Sequence, residues 1–324
     1  MKKRILSGIQ PSGKAHLGNL IGAIENWVKL QDEYDCYFFI ADLHALTTGY
    51  EKPKKLKEDI EELTIDLLAA GLDPEKCTIF KQSDIAEHSE LHLLFSMITP
   101  LPWLERVPTY KSKINELKEK DLSTYGFLGY PVLQAADILI YKADFVPVGE
   151  DQLPHIELTR EIARRFNYFY GETFVLPKDL LTSVPVLPGI DGRKMSKSYG
   201  NTIALSDSKD EIIKKVNQMI TDPARVKKED NGHPDVCTVF SYHKVFNKEK
   251  ISAIEKECKA ASRGCVACKK EFVELLLAYL APIQARRAEI IKQKSIIKIL
   301  DSGCGKARVI AAKTLNEAKL AMGL

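Results

Sequence analysis

A short polar turn near the N-terminus, set between a strand-like run and a helix-like run, constrains this chain more than any other stretch. Ile5-Leu6-Ser7-Gly8-Ile9 has the composition of a short strand, and Gln10-Pro11-Ser12-Gly13 has turn chemistry. Leu17, Leu20, Ile21, Ile24, Trp27, Val28 and Leu30 then recur at helical spacing. Strand, tight turn and helix start bring together free backbone N–H groups and the positive end of a helix dipole, a ready phosphate site. Gly13 and Gly18 let the backbone come close to a ligand. Gln10, Ser12, His16 and Asn19 supply side-chain donors. An ordinary first βα unit with a polar turn would have the same outline. No P-loop or GxGxxG string competes for a nucleotide.

Much later in the chain, Gly189, Gly192 and Gly200 bracket Arg193-Lys194-Met195-Ser196-Lys197-Ser198. Glycines around a basic stretch predict a mobile loop. Flexible lysines suit an anion that forms during a reaction, such as the pyrophosphate that leaves when a carboxylate attacks the α-phosphate of ATP. One such contact is commonly worth roughly 3–4 kcal/mol in the transition state. The plain alternative is a solvated basic loop.

Between these segments the pattern alternates. Tyr37 to Asp42 predicts a buried strand, residues 54–70 a helix and residues 78–81 a short strand. This is the signature of an α/β fold with a Rossmann-like, doubly wound parallel sheet and ligands at the strand C-terminal ends, where Asp42 and His44 would lie. A helix-rich stretch runs from about 87 to 170. His88 and His92, four apart, fit a helix face better than a metal pair, because His-Ser-Glu-Leu-His lacks the zincin glutamate position. Lys142 to Gln152 return to the sheet, and Gly149-Glu150-Asp151-Gln152 opens the next helix. From about 204 onward the pattern is nearly all helical. The expected division is a catalytic domain over 1–203, with a helical insertion at about 87–145, and an all-helical domain over 204–324.

Gly129-Tyr130-Pro131-Val132-Leu133-Gln134-Ala135-Ala136-Asp137-Ile138-Leu139-Ile140-Tyr141 is the third informative stretch. Pro131 is placed to start a helix. Asp137 sits among apolar neighbours, where a carboxylate is costly unless hydrogen-bonded. Such a group is a natural partner for an indole, whose one polar handle is an N–H. A helix-surface Asp facing water is the alternative.

Lys194 to Ser198 match the KMSKS signature of class I aminoacyl-tRNA synthetases at all five positions, and His16-Leu17-Gly18-Asn19 matches their HIGH signature in a form seen in the tryptophanyl branch. With Ser7 to Gly13, Ala135 to Leu139, Val146 to Gln152 and His155 to Arg160, the chain resembles bacterial tryptophanyl-tRNA synthetases along essentially its full length. The resemblance implies a homodimeric, Mg²⁺-dependent enzyme that makes tryptophanyl-adenylate from L-tryptophan and ATP, then charges tRNA(Trp). By position, Gln10, Pro11, Ser12, His16, Gly18 and Asn19 contact ATP, joined by Gly149, Glu150 and Asp151 on the adenosine side. Lys194, Met195, Ser196, Lys197 and Ser198 cover the phosphates, with Lys194, Lys197 and Gln10 as the expected catalytic groups. Asp137 reads the indole, Gln152 takes the polar end of tryptophan, and Tyr130, Gln134, His44 and Leu6 complete the pocket. His16 stands where many members have Thr, Leu6 where many have an aromatic ring, and Gln134 in place of a frequent Met. No protein general base is needed, since a carboxylate is already nucleophilic at neutral pH; orientation, cations and Mg²⁺ carry the reaction.

The chain has 324 residues, 45% of them apolar and 28% charged, enough for a large core. No apolar run reaches membrane-span length, and Met1-Lys2-Lys3-Arg4 is not followed by a signal-peptide core, so a cytoplasmic protein is expected. Net charge is +3, but residues 1–200 carry 24 Lys+Arg against 29 Asp+Glu and residues 201–324 carry 23 against 15. That asymmetry predicts a polyanion partner for the C-terminal part, or else a solvated helical face. Its last stretch, Gly305 to Leu324, aligns Lys306, Arg308, Lys313 and Lys319 along one helix.

Seven cysteines, an odd number, argue against a disulfide framework. Cys237, Cys258, Cys265 and Cys268 are spaced C-x₂₀-C-x₆-C-x₂-C, which suits Zn²⁺ or an iron–sulfur cluster, or leaves unligated thiols. The resemblance implies a [4Fe–4S] cluster near the anticodon-binding region, and Arg263, Lys269 and Lys270 are consistent with RNA nearby. Cys36, Cys77 and Cys304 are expected in the core or at the surface. The rival readings are a tyrosyl-tRNA synthetase, a non-catalytic iron–sulfur RNA-binding paralogue and a small-molecule adenylyltransferase.

Overall fold

The structure is a computed structural model that describes residues 2–51, 53–108, 110, 122–181 and 187–324, with Ser198 described in its backbone only. Five strands, β1 (Arg4–Ile9), β2 (Asp35–Ile40), β3 (Thr78–Lys81), β4 (Phe145–Val148) and β5 (Lys178–Leu181), form one sheet in the order β3-β2-β1-β4-β5. Every pairing is parallel, with Arg4 opposite Asp35 and Ile9 opposite Ile40. A parallel sheet needs helices on both faces, and its strands are then apolar throughout. In β2 all residues after Asp35 are buried. Successive side chains alternate between faces. Phe38 and Ile40 join Ile5, Leu17, Ile24 and Trp27 on one side, where Trp27 stacks on Phe38 at 4.7 Å. Tyr37 and Phe39 join Leu6, Phe80 and Tyr141 on the other.

The strand-turn-helix expected at the N-terminus is present: β1 leads through the turn into α1 (Leu17–Asn19), a π-helical stretch (Leu20–Ile24) and α2 (Glu25–Glu33). Next come α3 (Asp42–Gly49) after β2, α4 (Leu56–Ala70) before β3, α5 (Glu87–Ser96) and α6 (Leu101–Glu105). In α7 (Tyr125–Ile140) Thr124 is the N-cap, its hydroxyl accepting from the Phe127 N–H at 3.2 Å. Pro131 therefore does not start this helix, as the sequence predicts, but lies inside it. It withholds a donor from the carbonyl four residues back. After β4 the Gly149 turn opens α8 (Leu153–Tyr170).

The C-terminal region is helical: α9 (Lys209–Gln218), α10 (Thr238–Phe246), α11 (Ile251–Lys259), α12 (Cys265–Gln293) and α13 (Ile296–Met322). Packing runs straight across residue 203. The core that begins at Ile5 continues through Phe272, Leu276, Leu280 and Leu300. Helix α13 lies on β3 and α5, burying Ala307, Ala311 and Ala318. Its basic face is partly engaged within the chain: Lys319 pairs with Glu90 at 2.6 Å, and Arg308 bonds the Asp84 carbonyl.

Closest approach falls at Gly303, where a Cβ would sit 1.8 Å from the Ile79 carbonyl oxygen. Gly303→Ala should push α13 off β3 and destabilise the protein by about 1–3 kcal/mol, as overpacking typically does. Urea denaturation measures this; an unchanged midpoint would mean that α13 shifts freely.

Candidate functional site

The sheet order reverses between β1 and β4, so the crevice at their C-terminal ends is the expected ligand site. The turn after β1 closes with the Ser12 N–H on the Gln10 carbonyl at 2.9 Å, leaving Gln10 and Ser12 exposed. Gly13 has φ +100°, a conformation that side chains strongly disfavour. His16 caps α1: its Nδ1 accepts from the Asn19 N–H at 3.2 Å, while the Asn19 side-chain oxygen accepts from the His16 N–H at 3.1 Å. Burial, then the nearby Lys197 charge, pushes the imidazole pKa down to about 4, so it is neutral and Nδ1 is free to accept.

The second segment docks directly onto this turn. Lys197 Nζ donates to the Gly13 carbonyl at 2.9 Å and to Ser12 Oγ at 3.2 Å. Met195 is buried, and its sulfur accepts from the Gly18 N–H at 3.3 Å. Beyond the segment, the Leu17 N–H bonds the Ile203 carbonyl at 2.9 Å. Asn201 shapes the loop from inside. Its side-chain oxygen accepts from the Ser196 N–H at 2.8 Å, and its amide donates to Asp191 at 2.8 Å and to the Lys194 carbonyl at 3.1 Å. Lys194 is exposed beside it, and the Ser198 side chain lies outside the described part. Desolvation lowers the Lys197 pKa to about 8, against the opposing pull of Asp59 and Asp66. A half-dehydrated ammonium with no carboxylate paired to it among the described residues acts more strongly on an incoming anion than one in water.

On the opposite face of β1, Asp137 is fully buried and not a water-facing helix residue. Its carboxylate meets His44 Nε2 at 2.7 Å, His88 Nδ1 at 2.5 Å and the Gln82 amide at 2.8 Å. His88 Nε2 in turn meets the Tyr141 hydroxyl at 2.8 Å. Burial opposes the Asp137 charge, but the hydrogen bonds from His44 and His88 overcome it and hold the carboxyl well below the usual range. Tyr141, raised well above its ordinary pKa by burial and by Asp137, stays a phenol that can donate to His88. Tyr130 stands edge-on to His44 at 6.4 Å, and Leu6 is buried in the same apolar cluster as Val132 and Ile138. Gln134, one turn before Asp137, is half-buried. Of the β4 turn, Glu150 and Asp151 are exposed, and the Gln152 amide donates to Asp151 at 3.0 Å.

Three groups here escaped sequence reasoning. His88 sits on a helix, as expected, but points inward; Gln82 and Asn201 belong to no motif. A polar residue directly after a strand, for Gln82, or directly after a loop glycine, for Asn201, was the available signal.

Cys237, Cys258, Cys265 and Cys268 come from the start of α10, from α11 and from the first turn of α12. Burial raises the Cys237, Cys258 and Cys268 thiols, and neighbouring thiols of the same four add to it, so the four share one neighbourhood. Arg263 lowers Cys268 against this, and His243 Nε2 lies 3.4 Å from its sulfur. Among the described residues, no three His, Cys, Asp or Glu side chains converge tightly enough for one metal ion. Cys36, Cys77 and Cys304 are buried.

A parallel 3-2-1-4-5 sheet, with two signature segments in contact at the turn after β1, defines a nucleotide-binding protein of the class I synthetase kind. The family of class I tRNA synthetases for W and Y matches residues 1–281, and the chain belongs to that family. It is 54% identical over 325 residues to the tryptophan–tRNA ligase of Thermotoga maritima, covering 99% of each. It is 47% identical over 393 residues to that of Aquifex aeolicus, covering 99% of this chain and all of that protein. The crystal structure of Campylobacter jejuni tryptophanyl-tRNA synthetase complexed with ADP and tryptophan superposes with a TM-score of 0.88 at 35% identity, covering 99% of this chain and 100% of that one.

With a Lys197 pKa of about 8, its charge is present below that pH and lost above it. The kcat/KM for ATP should fall on the alkaline side from about pH 8, and Lys197→Arg should move that limb upward, because guanidinium stays charged. A profile flat to pH 10 in the unmodified enzyme would remove Lys197 from this role.

Proposed function

We propose that this chain activates L-tryptophan with ATP to tryptophanyl-adenylate and pyrophosphate, and then transfers tryptophan to tRNA(Trp). The observation that carries this reading is the contact of Lys197 with the Ser12–Gly13 turn that follows β1. It sets a partly dehydrated cation beside the helix start where phosphates dock. Full-length likeness to tryptophan–tRNA ligases supports the choice of amino acid over tyrosine.

In this reading ATP lies along the β1 turn, with Gln10, Pro11, Ser12, His16, Gly18 and Asn19 on one side and Gly149, Glu150 and Asp151 at the adenosine. Mg²⁺, when bound, would offset the charge of the ATP phosphates. The tryptophan carboxylate attacks the α-phosphate; the bond to the bridging oxygen breaks and pyrophosphate leaves toward Lys194 and Lys197. Asp137, kept ionised by its histidines, faces the indole N–H, which would take over the Oδ2 contact now made by His44. Tyr130, Gln134 and Leu6 line the ring, and Gln152 serves the polar end.

The helical C-terminal region, with its surplus of cations, takes the tRNA anticodon end. Leu93 on α5, Met97 just past its end, Leu101 on α6 and Tyr125 on α7, all exposed, form the apolar face of a homodimer. Likeness to tryptophan–tRNA ligases supports work in the cytoplasm; no described helix is long and apolar enough to cross a membrane. Cys237, Cys258, Cys265 and Cys268, whose thiols share one neighbourhood, would hold a [4Fe–4S] cluster, with zinc as the alternative.

Pyrophosphate exchange into ATP should appear with tryptophan and not with tyrosine. Exchange with tyrosine would overturn the pocket assignment, and none with either in folded protein would favour the non-catalytic paralogue. Cys265→Ser should abolish iron binding, read by iron content and visible absorbance, and leave tryptophan-dependent exchange within a few-fold. Loss of exchange in a folded variant would make the cysteine site catalytic.

A further inference from the structure

Asp66 belongs to neither signature, yet it is completely buried in the middle of α4. One carboxylate oxygen accepts from the Ala15 N–H at 2.7 Å; the other accepts from Arg287 Nε at 2.9 Å. Arg287 lies on α12 and reaches Glu62 with its second arm. A carboxylate here is costly, and burial raises its pKa against the help of Arg287 and Ala15. A core that only needed filling would have been served by a leucine.

Ala15 lies between Gly13, whose carbonyl Lys197 holds, and His16, which caps α1. Its own carbonyl accepts from the Leu205 N–H at 3.0 Å, and the Leu205 and Asp207 carbonyls are both held by the Gln284 amide of α12 at 3.0 Å. Both faces of the Ala15 peptide thus trace back to one helix, through Asp66–Arg287 on one side and Leu205–Gln284 on the other.

We propose that Asp66 and Arg287 are positioning residues for ATP: the carboxylate fixes the backbone of the first signature, and the guanidinium from α12 holds the carboxylate in place. This rests on the assignment of the β1 turn to ATP. Neither residue touches the nucleotide. Because α12, 29 residues long with Pro282 inside it, also carries Cys265 and Cys268 in its first turn, the turn after β1 is built against the same helix that begins at the clustered cysteines.

The test is exchange kinetics on Asp66→Leu/Arg287→Leu and on Asp66→Asn. Replacing a buried ion pair by apolar residues of similar size is often neutral for folding, but leaves the Ala15 N–H without its acceptor. The double variant should melt near the parent temperature, keep the KM for tryptophan within two-fold, and raise the KM for ATP about ten-fold or more, as small displacements of a binding backbone do. Unchanged ATP KM in a folded double variant overturns the proposal. So does a rise in both KM values together, which marks general loosening. If the double variant does not fold, Asp66→Asn decides: an ATP-selective rise in KM supports positioning, and equal KM values overturn it. Absence of tryptophan-dependent exchange in the unmodified enzyme would instead defeat the assignment of function.

Discussion

Everything in this molecule depends on β1 having parallel neighbours on both sides. A strand in that position has no face toward water, so helices must cover it above and below, and all strand C-termini open at one edge. The two faces then diverge in chemistry. One receives the helix start and its phosphate turn; the other receives α7 with Asp137. Ile5 and Leu6, adjacent in sequence, belong to the two separate cores that support these halves. In the proposed reaction the amino acid and the nucleotide would meet at the edge where the halves adjoin.

The site is also where the chain buries groups that would be cheaper in water. Asp137, His88, His44, His16, Asn201 and Asp66 are all buried, each with partners. Polar groups shut in this way resist movement, because breaking one contact strands its partner. Lys197 differs: its contacts are a carbonyl and a hydroxyl, so it keeps charge to offer. Fixed acceptors and one underused cation make a site that is rigid around its ligands and responsive to charge that develops on them.

Helix α12 joins regions that composition separates. The change from alternating to helical pattern near residue 203 is real, yet Gln284 bonds the Leu205 and Asp207 carbonyls, Arg287 bonds Asp66 of α4, and α13 lies on the sheet itself. The acidic first part and basic second part therefore share a core while presenting different surfaces.

Local pattern was enough to determine the strand-turn-helix at residues 5 to 30, the alternating β/α order and the two signature segments, because periodicity and turn chemistry act between near neighbours. It did not determine where α7 starts: Thr124 outcompeted Pro131 as the helix beginning, since a capping hydroxyl satisfies a donor and a proline removes one. Nor could it determine which donors surround Asp137, for Gln82, His44 and His88 arrive from three elements whose sequence spacing carries no common period. Asp66 and Arg287, more than two hundred residues apart, were invisible for the same reason. The chain alone decided which elements form and which chemistry it carries; only the tertiary fold decided which buried charges meet, because that pairing is set by packing in space and not by distance along the backbone.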